Sequence, residues 1–318
     1  MSLQLSQSIP FGHSAIFYSP FIVVFGGYVE SASSTQLIYT NELRIMDTST
    51  QLWYHVNINK ETSENSDMPS ARNFHSCILQ NSQMVIYGGK SNGLHSDVWS
   101  LDLSTLRLSD DDGGTGKKRC ELSGGWIRLE TSWHHTTDEK SVSLNRYGHS
   151  AVVWGDQMIV FGGYDNVSGA SNDLFVLDLK SLQWRVVKFV KSPPPAARYF
   201  HSMVLDGNGN AVVFGGKGPS SVINDCFRIK LQTLNENSVE WELISKTKPL
   251  EVSRFGHSSF VEGSKVFVLG GCNGEVDCLD LWSCDCLKKN QNGRRKQITF
   301  FPILYNPLEK EQVILLYI

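Results

Sequence analysis

The chain has 318 residues, 41% hydrophobic and 19% charged, with a formal net charge of −3. That balance gives no electrostatic grip on a nucleic-acid backbone, and the longest apolar runs, such as FIVVF and VILLYI, are far too short to span a bilayer. The start, MSLQLSQSIPFGHS, has no basic region followed by a long apolar run, and seven cysteines, an odd number, fit reduced thiols in the cytosol rather than a secreted disulfide framework.

From residue 11 onward one phrase recurs five times. It reads FGHSAIFYSPFIVVFGG ending at Gly27, RNFHSCILQNSQMVIYGG ending at Gly89, and RYGHSAVVWGDQMIVFGG ending at Gly163. It returns as RYFHSMVLDGNGNAVVFGG ending at Gly216 and RFGHSSFVEGSKVFVLGG ending at Gly271. The histidines His13, His75, His149, His201 and His257 follow one another at intervals of 62, 74, 52 and 56 residues. Those intervals lie close to the ~50-residue period of a propeller blade.

Each unit begins with two short, β-branched apolar runs around a polar turn, a strand–turn–strand signal. In the third unit these are HSAVVW and QMIVFGG; NDLFVLDLKS supplies a third strand and QWRVVKFV a fourth. Four antiparallel strands repeated radially describe a blade, and radial repetition protects the strand edges. Small residues follow each histidine, and the glycine pair suits positive φ and close backbone approach. Trp53, Trp126, Trp184 and Trp241 stand on or near the fourth strand of the first four units, placed to cover the seam to the next blade. The expected blades span 11–58, 72–130, 146–190, 198–245 and 254–300, with a partial one at 301–318.

The Gly-Gly pair after an apolar strand, the Asn-Asp-Leu strand and the following Trp together resemble the kelch repeat, over residues 11 to about 285. The resemblance implies an all-β, kelch-type β-propeller in one domain. Six blades with an incomplete last one is the main expectation, with Leu3 to Ser6 helping to close it. Five blades plus an appended hairpin is the alternative, and a truncated larger ring a third. The segment PILYNPLEKEQVILLYI supplies the strands of the partial blade.

Candidate functional residues follow from what repeats and what varies. The histidines recur in every unit and are expected to be architectural, held by hydrogen bonds. Arg72, Arg146, Arg198 and Arg254 stand three residues before the histidine, with Pro10 in that place in the first unit. Their regular recurrence favours structural ion pairs, whereas their planar guanidinium also suits recognition of carboxylates. By the kelch resemblance, this approach and the loop after the glycine pair open onto one face that often receives a peptide. That face would show Tyr28, Lys90, Tyr164 and Lys217, with Cys272 in the fifth place, and such a rim favours an acidic or carboxylate-bearing peptide.

Other features weigh less. Cys272, Cys278, Cys284 and Cys286 have gaps of five, five and one, unlike the close pairs of zinc sites, so isolated thiols and no metal are expected. SDDDGGTG at 109–116 resembles the Asp box of sialidase-like propellers without its Trp and reads as a turn. The loop Asp110–Gly125 and SWHHTTDEK at 132–140 are insertions of the second unit, a position often used for binding. KKNQNGRR at 288–295 is a solvated basic loop or, more weakly, a nuclear import signal, which adds the nucleus to a cytoplasmic location.

The functional expectation is a non-catalytic protein- or peptide-binding propeller acting as scaffold or adaptor, with no cofactor and no membrane or nucleic-acid partner. Kelch-like copper oxidases and iron-dependent specifier proteins share the resemblance, but their ligand sets are not found, nor is a G-x-S-x-G elbow, a P-loop or an H-E-x-x-H run. A substrate-recognition subunit of a ubiquitin ligase, and the propeller part of a larger enzyme, are the alternatives. Nothing in the sequence sets an oligomeric state.

Overall fold

In a computed structural model of the chain, each Gly-Gly repeat folds into an antiparallel four-stranded sheet whose strands lie side by side in chain order. The structure describes residues 10–31, 36–59, 68–109, 119–133, 142–189, 193–236, 238–246, 253–263, 265–284 and 301–303. Among them the fold is all-β apart from a 3-10 turn at Leu231–Glu236. The described residues divide into two units, one from Met1–Ser132 and Val142–Tyr147, the other from Trp133–Ser141 and Gly148–Ile318.

The first unit holds two blades. Blade one consists of Ser14–Tyr18, Phe21–Phe25, Leu43–Asp47 and Leu52–Asn59. Blade two consists of Ser76–Gln80, Gln83–Tyr87, Val98–Asp102 and Ile127–Leu129. The second unit holds three. Their strands are Ser150–Trp154, Gln157–Phe161, Leu174–Asp178 and Gln183–Val186 in blade three, and Ser202–Leu205, Asn210–Phe214, Asp225–Lys230 and Trp241–Lys246 in blade four. Blade five has Ser258–Glu262, Lys265–Leu269, Leu281–Cys284 and Phe301–Ile303.

Among the described residues the blades number five, which fits the alternative expectation; the six-blade one is not confirmed. Phe301–Ile303, expected to open a sixth blade, instead pair with Leu281–Cys284 as the fourth strand of blade five. The remainder of the expected partial blade, Leu3 to Ser6, KKNQNGRR and Cys286 lie outside the described residues.

The second strand of a blade is apolar on both faces because it is covered on both. Val23 and Phe25 enter one apolar cluster of the first unit, while Ile22 and Val24 enter another. Trp126 and Trp241 cover a seam as expected, but towards the preceding blade rather than the next, whereas Trp184 lies 6.5 Å from Phe175 of its own blade. Trp126 of blade two lies 4.9 Å from Phe25 of blade one, and Trp241 of blade four 4.8 Å from Phe161 of blade three.

The long insertion of the second unit is not simply a loop. Arg107–Ser109 and Arg119–Ser123 pair with each other, and Arg119–Ser123 runs parallel to the fourth strand of blade one, from His55 to Asn59. The hairpin thus extends the sheet of blade one, with Cys120 and Leu122 in its core. Residues 110–118, which include most of SDDDGGTG, lie outside the described residues. Trp133 packs 6.2 Å from Phe175 of blade three, and His134 and His135 are also outside the described set.

Candidate partner-binding site

The repeated polar residues join one blade to the next. His75 Nε2 is 2.7 Å from Ser14 Oγ, His201 Nε2 is 2.6 Å from Ser150 Oγ, and His257 Nε2 is 2.9 Å from Ser202 Oγ. In each case the histidine of one blade bonds the serine that follows the histidine of the blade before it. Burial, then the neighbouring arginine charge, pushes His201 well below its ordinary pKa and His257 down to about 3. The His201 and His257 rings are neutral at physiological pH and serve as fixed hydrogen-bonding struts.

The glycine pair receives the same incoming segment. Gly27 N–H donates to the Arg72 carbonyl at 2.8 Å, and Gly216 N–H to the Arg254 carbonyl at 2.8 Å. A Cβ on Gly26 would stand 2.7 Å from the Arg72 carbonyl oxygen and 2.9 Å from the His75 ring, so no larger residue fits. The pair is a notch for the next blade.

The four repeated arginines are buried, and their guanidinium groups point into the blades. Arg72 makes a two-point ion pair with Asp97, at 2.7 and 2.9 Å, and also donates to the Gly88 and Ser70 carbonyls. Arg198 does the same with Asp225 at 2.6 and 3.2 Å and with the Gly215 carbonyl at 3.0 Å. Arg254 pairs with Asp280 at 2.8 and 3.3 Å and donates to the Gly270 carbonyl. Arg146 donates to the Ser143 carbonyl at 2.6 Å. Burial raises Asp97, but the hydrogen bonds and charge of Arg72 outweigh it and hold the carboxyl at about 2. A ligand carboxylate would have to displace Asp97, Asp225 or Asp280 to reach three of these groups. Of the two readings of the repeated arginines, this geometry supports the structural one.

The residues after the glycine pairs have a different setting. Tyr28, Lys90, Lys217 and Cys272 each form an isolated antiparallel bridge with the residue that follows the arginine position: Phe11, Asn73, Tyr199 and Phe255. Tyr28, Lys90 and Tyr164 are half-buried and Lys217 is exposed. In the first unit Phe11, which is 67% exposed, lies 5.8 Å from Tyr28, and Tyr28 lies 6.1 Å from Phe74. In the second unit Tyr164 lies 5.1 Å from Tyr199. The lysine ammonium groups sit over rings, Lys90 above Tyr147 at 5.0 Å and Lys217 above Phe255 at 5.4 Å.

The sequence model of the KLHDC2/KLHL20/DRC7 Kelch-repeats domain matches residues 7–120 and 112–292. The chain belongs to the kelch-repeat family. Among its kelch relatives, Kelch domain-containing protein 3 of Rattus norvegicus is 27% identical over 224 residues, covering 68% of this chain and 52% of the relative. Tip elongation aberrant protein 1 of Schizosaccharomyces pombe is 32% identical over 140 residues, 43% of this chain and 12% of that protein. Adagio-like protein 3 of Oryza sativa subsp. japonica is 34% identical over 182 residues, 55% of this chain and 27% of that protein. The kelch chain therefore spans about half the length of the first of these relatives.

Within the kelch framework, the repeated geometry of histidine, arginine and glycine pair is accounted for by blade-to-blade joining. Tyr28, Lys90, Tyr164 and Lys217 stand at a position that varies between blades and keep partial or full exposure. Sequence reasoning singled out Tyr28, Lys90, Tyr164 and Lys217 but missed their aromatic partners Phe11, Phe74, Tyr147, Tyr199 and Phe255, and Phe200 beside the last two. The signal was present in the phrases FG, NF, YG, YF and FG just before each histidine, where an aromatic stands in every copy. Among the described residues, no group of three or more His, Cys, Asp and Glu is placed to hold a metal ion. No helix among them is long and apolar enough to cross a membrane.

Proposed function

We propose that this kelch chain is a non-catalytic recognition module, acting as a scaffold or adaptor through the loops that follow its glycine pairs. The observation that carries the reading is the contrast between shared and varying positions. The histidines and arginines common to the blades are consumed by packing, whereas half-buried Lys90 and exposed Lys217 have no ion-pair partner among the described residues. A protein or peptide carrying acidic groups fits cations so placed, because charge complementarity raises both specificity and association rate. Cys77, Cys120, Cys226, Cys272 and Cys278 are free thiols, in keeping with a cytoplasmic setting.

A receptor role in a ubiquitin ligase, or service as the propeller part of a longer enzyme, is the second reading. The test is affinity capture with the purified chain beside a K90E/K217E variant. The expected outcome is a partner retained by the wild type and lost from the variant, while Tm moves by only a few degrees, since exposed cation–π contacts contribute only ~0.5–1 kcal/mol each. Collapse of Tm would make the two lysines structural and remove this face as the contact surface.

A further inference from the structure

Blades two and four depart from the other three at two positions together. Where blades one, three and five carry Gly12, Gly148 and Gly256, they carry Phe74 and Phe200; where the others follow the glycine pair with Tyr28, Tyr164 and Cys272, they place Lys90 and Lys217. The backbone at the first position is left-handed in all five blades, with φ of 68°, 54°, 64°, 55° and 66° in chain order. Glycine adopts that conformation freely, whereas a bulky side chain there is strained. Three blades show that the architecture does not need the ring, and strain kept without an architectural need points to use.

The two phenylalanines have the same surroundings. Each closes against the glycine of the preceding blade: a Cβ on Gly12 would meet the Phe74 ring at 2.7 Å, and one on Gly148 the Phe200 ring at 2.8 Å. Each also neighbours the aromatic residue of the following phrase, Phe74 with Tyr147 at 6.3 Å and Phe200 with Phe255 at 6.2 Å. The lysine of the same blade sits over that second ring. The three side chains of each set are half-buried, save Lys217, which is exposed. One such set belongs to each unit of the chain.

We propose that Phe74–Lys90–Tyr147 and Phe200–Lys217–Phe255 are two equivalent subsites, each taking an acidic side chain next to an aromatic one in a partner peptide. The ammonium group, held over a ring and lacking a carboxylate among the described residues, pairs with the acid; the peptide's aromatic side chain lies against the phenylalanine. The ring contact orders the lysine before the partner arrives, which lowers the entropy cost of pairing. The assignment rests on the reading of the glycine-pair loops as the contact face, and adds the chemistry and number of the sites.

The experiment is a calorimetric titration of the full chain with acetyl-Gly-Glu-Trp-Gly-amide, beside the peptide with Gln in place of Glu. Two equivalents per chain are expected for the wild type, one for Phe74→Gly, and none for the double variant Phe74→Gly with Phe200→Gly. Because glycine stands at this position in three blades, the variants should keep the wild-type Tm within a few degrees. Lys90→Gln with Lys217→Gln, which leaves the backbone untouched, should weaken binding at least tenfold, as should the Gln peptide. Fewer than two equivalents in the wild type, equal binding of the Gln peptide, or undiminished binding by the double glycine variant would overturn the proposal. If the peptide fails while K90E/K217E still loses its natural partner, the twin subsites fall and the contact face stands.

Discussion

A buried guanidinium is tolerable only while its charge and donors are met, and Arg198 shows what that requires. Its fork faces both oxygens of Asp225, and its remaining hydrogen-bond capacity goes to the Gly215 and Ala196 carbonyls. Removing one member leaves the other charged and unsatisfied in a dry setting, which typically costs ~3–5 kcal/mol. Asp225→Ala is accordingly expected to destabilise the protein by about that amount, measured by chemical denaturation. A loss below ~1 kcal/mol would mean that the guanidinium finds water and is not fixed as described. Blade one provides an internal comparison: Pro10 occupies the arginine place, and the acid before the third strand, Glu42, pairs instead with Arg44 on its own strand.

At the scale of the element, the insertion in the second repeat shows how a segment outside the repeat pattern becomes part of a blade. Arg119–Ser123 alternates Cys120 and Leu122 inward with exposed Glu121 and Ser123, a half-buried strand of period two. Its parallel partner is the outer strand of blade one, so the hairpin covers an edge that would otherwise be open. Leu122 is fully buried in the same cluster as Phe25 and Trp126. Leu122→Ala should therefore cost ~2–5 kcal/mol, as for a core residue, although the residue lies in an insertion. A change under ~0.5 kcal/mol in a denaturant melt would return the segment to the status of a surface loop.

For the whole molecule, the neutral histidines couple stability to pH. His13, His201 and His257 are all lowered from an ordinary value of 6.5, mainly by burial, His257 to about 3. Below pH 6.5 the unfolded chain takes up protons that the folded chain refuses, so stability is fully present above that pH and declines as pH falls towards the folded values. The slope approaches ~1.4 kcal/mol per pH unit for each such histidine. Asp97 adds to the decline only below its unfolded value of 3.8 and down to about 2, where its ion pair is lost. Tm should be level from pH 8 to 7 and fall steadily between pH 6.5 and 4. A Tm that stays level down to pH 4 would contradict neutral burial of these rings.

Phase and spacing alone made the blades legible: five copies of His, apolar pair and Gly-Gly at blade-like intervals admit few other arrangements, because each copy buries its faces only against another like it. The structural role of the repeated histidine was readable for the same reason, though not its partner, since Ser14 and His75 are 61 residues apart and meet only when blades stack. The blade count was not readable. Phe301–Ile303 look as much like the start of a sixth blade as the end of a fifth, and only pairing with Leu281–Cys284 decides it. Nor could local pattern tell a rim arginine from a buried one: the same Arg is a carboxylate receptor or a strut according to whether Asp97, Asp225 or Asp280 reaches it first. Repetition in the sequence determined what is built; long-range pairing in the tertiary structure decided which charges the building uses up and which, like those of Lys90 and Lys217, it leaves without an ion-pair partner among the described residues.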